Sequence, residues 1–96
     1  MYILVTYDIS TDSKGGAKRL RRIAKACLDY GQRVQFSVFE CWISQEEFIA
    51  FRARLIKEMD PSVDSLRFYL LGDKWERKVE HYGTKITPNL EDPLIV

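Results

Sequence analysis

Apolar residues first recur at every second position. Ile3, Val5, Tyr7 and Ile9 alternate with Leu4, Thr6 and Asp8 in a stretch rich in β-branched and aromatic side chains, and that period predicts a strand. The turn formers Ser10-Thr-Asp-Ser-Lys-Gly-Gly16 then predict a loop. From Ala17 the spacing changes to three and four. Ala17, Leu20, Ile23, Ala24, Cys27 and Leu28 fall on one face and Lys18, Arg21, Arg22, Lys25 and Asp29 on the other, so an amphipathic helix is expected, with Gly31 as its stop. Residues 33–43 return to strand composition, but they are long for one strand and hold no Gly, Pro or Asn to mark a turn. Either the strand bends once or a tight hairpin lies near Ser37. Phe36, Phe39 and Trp42 in this stretch read as core aromatics.

Ser44 followed by Glu47 is a capping-box pattern, and Phe48, Phe51, Leu55 and Met59 repeat at helical spacing up to Asp60-Pro61. Asp64 to Leu71 predicts another strand and Lys78 to Tyr82 a weaker one. This order fits an α+β fold: a ferredoxin-like βαββαβ sandwich with an additional C-terminal strand and two helices on one face of an antiparallel sheet. Residues 1–96 read as one domain, with 84–96 a tail expected to add to a sheet edge. Two helices cover only one sheet face, yet Leu4, Tyr69 and Leu71 fall on the other. A homodimer joined through that second face is the expectation.

Composition narrows the class. At 46% hydrophobic and 30% charged residues the chain resembles an ordinary globular domain and not a disordered segment. No run approaches the ~20 apolar residues of a membrane span and no basic stretch precedes the first apolar run, so no membrane contact and a cytoplasmic location are expected. Net charge is only +1, but residues 14–33 carry seven basic residues against Asp29 alone. Cys27 and Cys41 lack zinc-site spacing and read as buried reduced thiols. His81 is the single histidine, a poor basis for a Ser-His-Asp arrangement.

The candidate chemistry follows from placement. Asp8 closes the first strand on the face left open by the helices. One carboxylate is a sparse magnesium site, but a two-fold axis would bring two copies together as oxygen ligands for one hard cation; the alternative is an Asp that accepts backbone N–H bonds at a turn. Arg19, Arg21, Arg22 and Lys25 with Arg33 match phosphate geometry; the alternative is the solvated face of any amphipathic helix. Gly15-Gly16 lacks the rest of a nucleotide-binding fingerprint. Ser37 has no general base in view and suits a hydrogen-bonding role at a strand bend.

Tyr7-Asp8 at the end of the first strand, Arg19-Leu-Arg-Arg in the first helix, Tyr30-Gly-Gln-Arg-Val-Gln-Phe-Ser-Val-Phe-Glu-Cys41 and Asp64-Ser-Leu-Arg-Phe-Tyr69 together resemble the CRISPR-associated protein 2 family over nearly the whole chain. The ending Lys78-Val-Glu-His-Tyr-Gly with Leu90-Glu-Asp-Pro-Leu-Ile is similar to the type I-C variety. The resemblance implies a ferredoxin-like protomer in a homodimer with facing sheets. It makes Asp8 a metal-contacting catalytic residue, paired across the dimer, with Mg²⁺ or Mn²⁺ as the ion. It further implies that Tyr7, Arg19, Arg21, Arg33 and Phe39 shape the cleft or hold nucleic acid, that Ser37 is a recurrent serine, and that the apolar tail adds a strand to a neighbouring sheet edge. Two activities follow: a metal-dependent endonuclease acting on double-stranded DNA or single-stranded RNA, or a non-catalytic scaffold in spacer acquisition that bridges CRISPR-associated protein 1 integrase dimers and binds the duplex spacer precursor. A small metabolite-binding regulatory domain on the same fold is a third, blander reading.

Overall fold

The computed structural model describes residues 1–71 and 77–84. Seven elements follow in order: β1 (Tyr2–Asp8), α1 (Gly16–Tyr30), β2 (Gln32–Gln35), β3 (Val38–Trp42), α2 (Gln45–Glu58), β4 (Ser65–Leu71) and β5 (Arg77–Gly83). They form one five-stranded sheet in the order β2-β3-β1-β4-β5, and every neighbouring pair is antiparallel. This is the expected α+β ferredoxin-like sandwich, with β5 as the added strand beside β4. The expected addition of residues 84–96 to a sheet edge lies outside the described residues, apart from Thr84.

Strand alternation sorts the two faces as the sequence predicts. Ile3, Val5 and Tyr7 of β1 are buried with Phe39 and Cys41 of β3 and with Leu66 and Phe68 of β4. Over them lie Ile23, Ala26 and Cys27 from α1 and Phe48, Phe51 and Leu55 from α2. The aromatic rings interlock: Tyr30 stacks on Phe51 with centroids 4.6 Å apart, and Phe48 meets Phe68 edge-on at 5.4 Å. Each such ring removed from water contributes about 1.5–3 kcal/mol.

The helix stripe of α1 is rotated from the expected one. Ala17 and Leu28 are exposed, while Ala26 is buried and Tyr30 packs on the core. Gly31 does end the helix, but in an extended conformation (φ −156°) and not the left-handed one. A Cβ there would run into the Cys41 thiol and the Glu40 carbonyl of β3, so the residue is small because the chain passes close against β3.

The long stretch 33–43 is a hairpin. Gln35 pairs with Val38 across a two-residue turn, Phe36-Ser37, and Val34 is the extra residue of a bulge between Arg33 and Gln35. No described residue other than glycine has positive φ, so this turn has no need of the Gly or Asn that a primed hairpin turn would require. Two of the three aromatics expected in the core are not there. Phe39 is fully buried, but Phe36 sits at the turn, 78% exposed, and Trp42 points away from the helices, 74% exposed. Alternation explains Trp42: its partner Tyr2 lies on the same outer face, and the two rings stack at 4.6 Å.

Candidate metal and nucleic-acid site

Asp8 is the last residue of β1, exposed, and paired in register with Ser65 of β4. Tyr7 before it is buried, so Asp8 projects with Leu4 and Thr6 from the face turned away from the helices. Among the described residues, no group of three or more His, Cys, Asp or Glu side chains gathers as a metal cluster. The donor is of the right kind for magnesium or manganese, a hard carboxylate oxygen reachable from solvent, but one carboxylate does not make a site. The residues fit such an ion only when a second copy brings its own Asp8, with water or phosphate oxygens completing the shell.

Tyr7, Arg33, Ser37 and Phe39 come together behind this strand end. Tyr7 stacks on Phe39 with centroids 6.1 Å apart, and the Arg33 guanidinium lies 5.0 Å over the Phe39 ring and 5.7 Å from that of Phe36. The Tyr7 amide donates to the Ser37 carbonyl (3.2 Å) and its hydroxyl to the Phe36 carbonyl (3.4 Å). Burial raises the Tyr7 phenol above its ordinary range, against the lowering effect of Arg33. The hairpin turn thus extends the β1 ladder to the residue just before Asp8. Ser37 contributes through its backbone carbonyl and its place in the turn.

The basic residues of α1 are split. Arg22 and Lys25 line a groove of about 440 Å³ with Lys18, Arg21, Arg54 and Glu58, between the two helices. Arg22 reaches Glu58 at 3.6 Å, and Asp29 joins Lys25 at 2.8 Å to Arg54 at 2.9 Å. Among the described residues Lys18 and Arg21 have no ion-pair partner. The groove lies in the helix layer, across the sheet from the face that carries Asp8.

Arg19 does not join that groove. Its Nε donates to Asp64 Oδ2 (2.8 Å), Nη1 to the Lys14 carbonyl (2.7 Å) and Nη2 to Ser13 Oγ (2.5 Å) and the Ser10 carbonyl (3.4 Å). The protein takes up most of its guanidinium N–H donors, leaving one on Nη1 for the phosphate contact expected of it. The partner, Asp64, is fully buried. Burial pushes its carboxyl up, but the Arg19 guanidinium and the amides of Asp60 and Ser10 outweigh that and hold it below the usual range. In the sequence Asp64 reads only as the first residue of a strand. Its one signal was a lone carboxylate between a Pro-Ser turn and an apolar run.

Cys27 and Cys41 are buried free thiols, as expected, and burial pushes them up to about 12 and about 11. His81 accepts at Nδ1 from Arg67 Nε (3.3 Å), with burial and then the Arg67 charge lowering its pKa. An arginine partner does not make a histidine a general base. No helix of the described residues is long and apolar enough to cross a membrane.

A two-helix layer on an antiparallel sheet, with a solvent-facing carboxylate at the end of the central strand and a separate basic groove, defines a small α+β protein of ferredoxin-like type. The particular family is shown by comparison. The chain belongs to the family described as CRISPR associated protein Cas2, whose model matches residues 1–79. It is 54% identical over 96 residues, the whole of both chains, to the CRISPR-associated endoribonuclease Cas2 of Chlorobaculum tepidum. It is 52% identical over 95 residues, 99% of each chain, to the CRISPR-associated endonuclease Cas2 of Halalkalibacterium halodurans. The crystal structure of Streptococcus pyogenes Cas2 superposes with a TM-score of 0.69 at 55% identity, covering 78% of this chain and 90% of that one.

Proposed function

We propose that this chain acts as a homodimeric, metal-dependent endonuclease in CRISPR spacer acquisition, with the two copies joined through the sheet face that carries Asp8. The observation that carries the reading is the exposed Asp8 carboxylate at the end of the central strand, and the names of the relatives, endoribonuclease and endonuclease, agree with it. Asp8 from each copy would hold one Mg²⁺ or Mn²⁺, which when bound polarises a phosphodiester or activates water. The chain's own part at the metal is to bring two carboxylates into register and to brace them through the Tyr7–Phe39 stack, while the groove of Lys18, Arg21, Arg22 and Lys25 holds phosphates farther along the nucleic acid, away from Asp8.

One observation favours a second reading. The basic groove and Asp8 occupy opposite sides of the sheet, an arrangement that suits a dimer lying along double-stranded DNA and bridging the CRISPR-associated protein 1 integrase, with no cleavage of its own. The test is cleavage of matched double-stranded DNA and single-stranded RNA with Mg²⁺ or Mn²⁺, wild type against Asp8→Asn. The nuclease reading expects a loss of at least about 100-fold in the variant, with the dimer retained by sedimentation. No cleavage by either protein, with duplex binding intact, would replace it by the scaffold.

A further inference from the structure

We propose that Arg19 and Asp64 are a positioning pair for Asp8, an inference that rests on the reading of Asp8 as the metal-holding residue. Asp8 has two flanks. Downstream, Ser10 donates its amide to Asp64 Oδ1 at 2.9 Å. Across the sheet, Asp8 pairs with Ser65, the residue that follows Asp64 in the chain. One fully buried carboxylate therefore fixes both. The same carboxylate accepts the Asp60 amide through Oδ2 (2.8 Å), which locks the turn leading into β4, and the Asp64 carbonyl accepts the Thr84 amide (3.1 Å) at the end of β5. Arg19 spreads from it over Ser10, Ser13 and Lys14, the loop that begins just beyond Asp8.

A buried ion pair contributes little net stability against a packed apolar substitute, but its directional hydrogen bonds specify one geometry. Metal ligands must be held to within about 0.5 Å to bind well. Loss of the clamp frees the chain two residues past Asp8 and one residue before its cross-strand partner. Outer groups that orient a ligand typically cost 10- to 100-fold in metal affinity when lost.

The experiment titrates Mn²⁺ by electron paramagnetic resonance into the full-length dimer, wild type, Arg19→Gln, Asp64→Asn and Asp8→Asn, and measures duplex affinity over a salt series. Arg19→Lys is carried alongside in case Asp64→Asn does not fold. The positioning pair expects Arg19→Gln and Asp64→Asn to weaken Mn²⁺ binding alike, by about 10-fold or more, with the salt slope of duplex binding unchanged. Unaltered Mn²⁺ binding in both overturns it, as does a slope lowered by about one unit in Arg19→Gln alone, which would return Arg19 to phosphate binding. If wild type and Asp8→Asn bind Mn²⁺ equally, the metal reading of Asp8 fails separately. The pair is then judged by amide hydrogen exchange at Ile9 and Ser10: faster exchange in both variants keeps it as the clamp on this strand end, and unchanged exchange overturns it.

Discussion

Arg19 and Arg21 stand two positions apart on one helix and do different work. Arg19 turns inward to a carboxylate 45 residues away in sequence, while Arg21 lines the groove between the helices. Charge counting along α1 groups them together, because it registers the sign of a side chain and not the buried partner waiting for it. The two should separate in solution. Arg21→Ala is expected to flatten the salt dependence of duplex binding by about one unit of slope, as one lost phosphate contact does, measured by fluorescence anisotropy over a salt series. An unchanged slope removes Arg21 from the binding surface. Trp42 and Phe36 teach the converse lesson. Their composition says core, but one follows strand parity to the outer face and the other sits at the turn, and only a known register tells which parity each residue has.

At the level of elements, most of the fold is legible because local chemistry and tertiary packing agree. Ser44 and Glu47 form the capping box their spacing announces: the Glu47 amide donates to Ser44 Oγ at 3.1 Å and the Ser44 amide to Glu47 Oε1 at 3.0 Å. Ser44→Ala is expected to cost about 1 kcal/mol near neutral pH, read by urea denaturation. The backbone and hydroxyl of Ser44 hold the Glu47 carboxyl below its ordinary value. A depressed folded-state pKa stabilises fully above the unfolded value, about 4.3, and that contribution is lost as pH falls through the folded value. Ser44→Ala keeps the main-chain donor to that carboxylate, so Glu47→Ala is the variant whose cost should narrow in acid; a cost that stays constant would mean the charge of the carboxylate contributes nothing to the cap. The hairpin at Phe36-Ser37 is the element that composition leaves open between a bend and a turn. Its negative-φ turn and the bulge at Val34 use residues with no turn signature, so composition alone has no means of locating it.

For the molecule as a whole, sheet order decides which residues can meet. β1 is the middle strand, flanked by β3 and β4, so Leu4 lies near the centre of the face away from the helices, opposite Glu40 on one side and Tyr69 on the other. If that face joins two copies, Leu4→Lys places two like charges at the two-fold contact and should turn a species of roughly twice the 11.3 kDa chain mass into monomer, measured by sedimentation equilibrium. A variant that stays dimeric moves the interface elsewhere and takes the paired Asp8 site with it. This placement of Asp8 was legible from strand parity, whereas its brace at Arg19 and Asp64 was not, because no local pattern links two charges that meet only after the sheet closes.

The position of β1 also governs how the chain is made. Synthesised before both of its neighbours, it gains one only when residues 38–42 have left the ribosome and the other only with residues 65–71. Until then Ile3, Val5 and Tyr7 belong to a nascent segment with two unsatisfied edges, and pairing across such separations is slow and open to aggregation. Yield on expression should thus track translation speed through the middle of the message more closely than the stability of the finished protein.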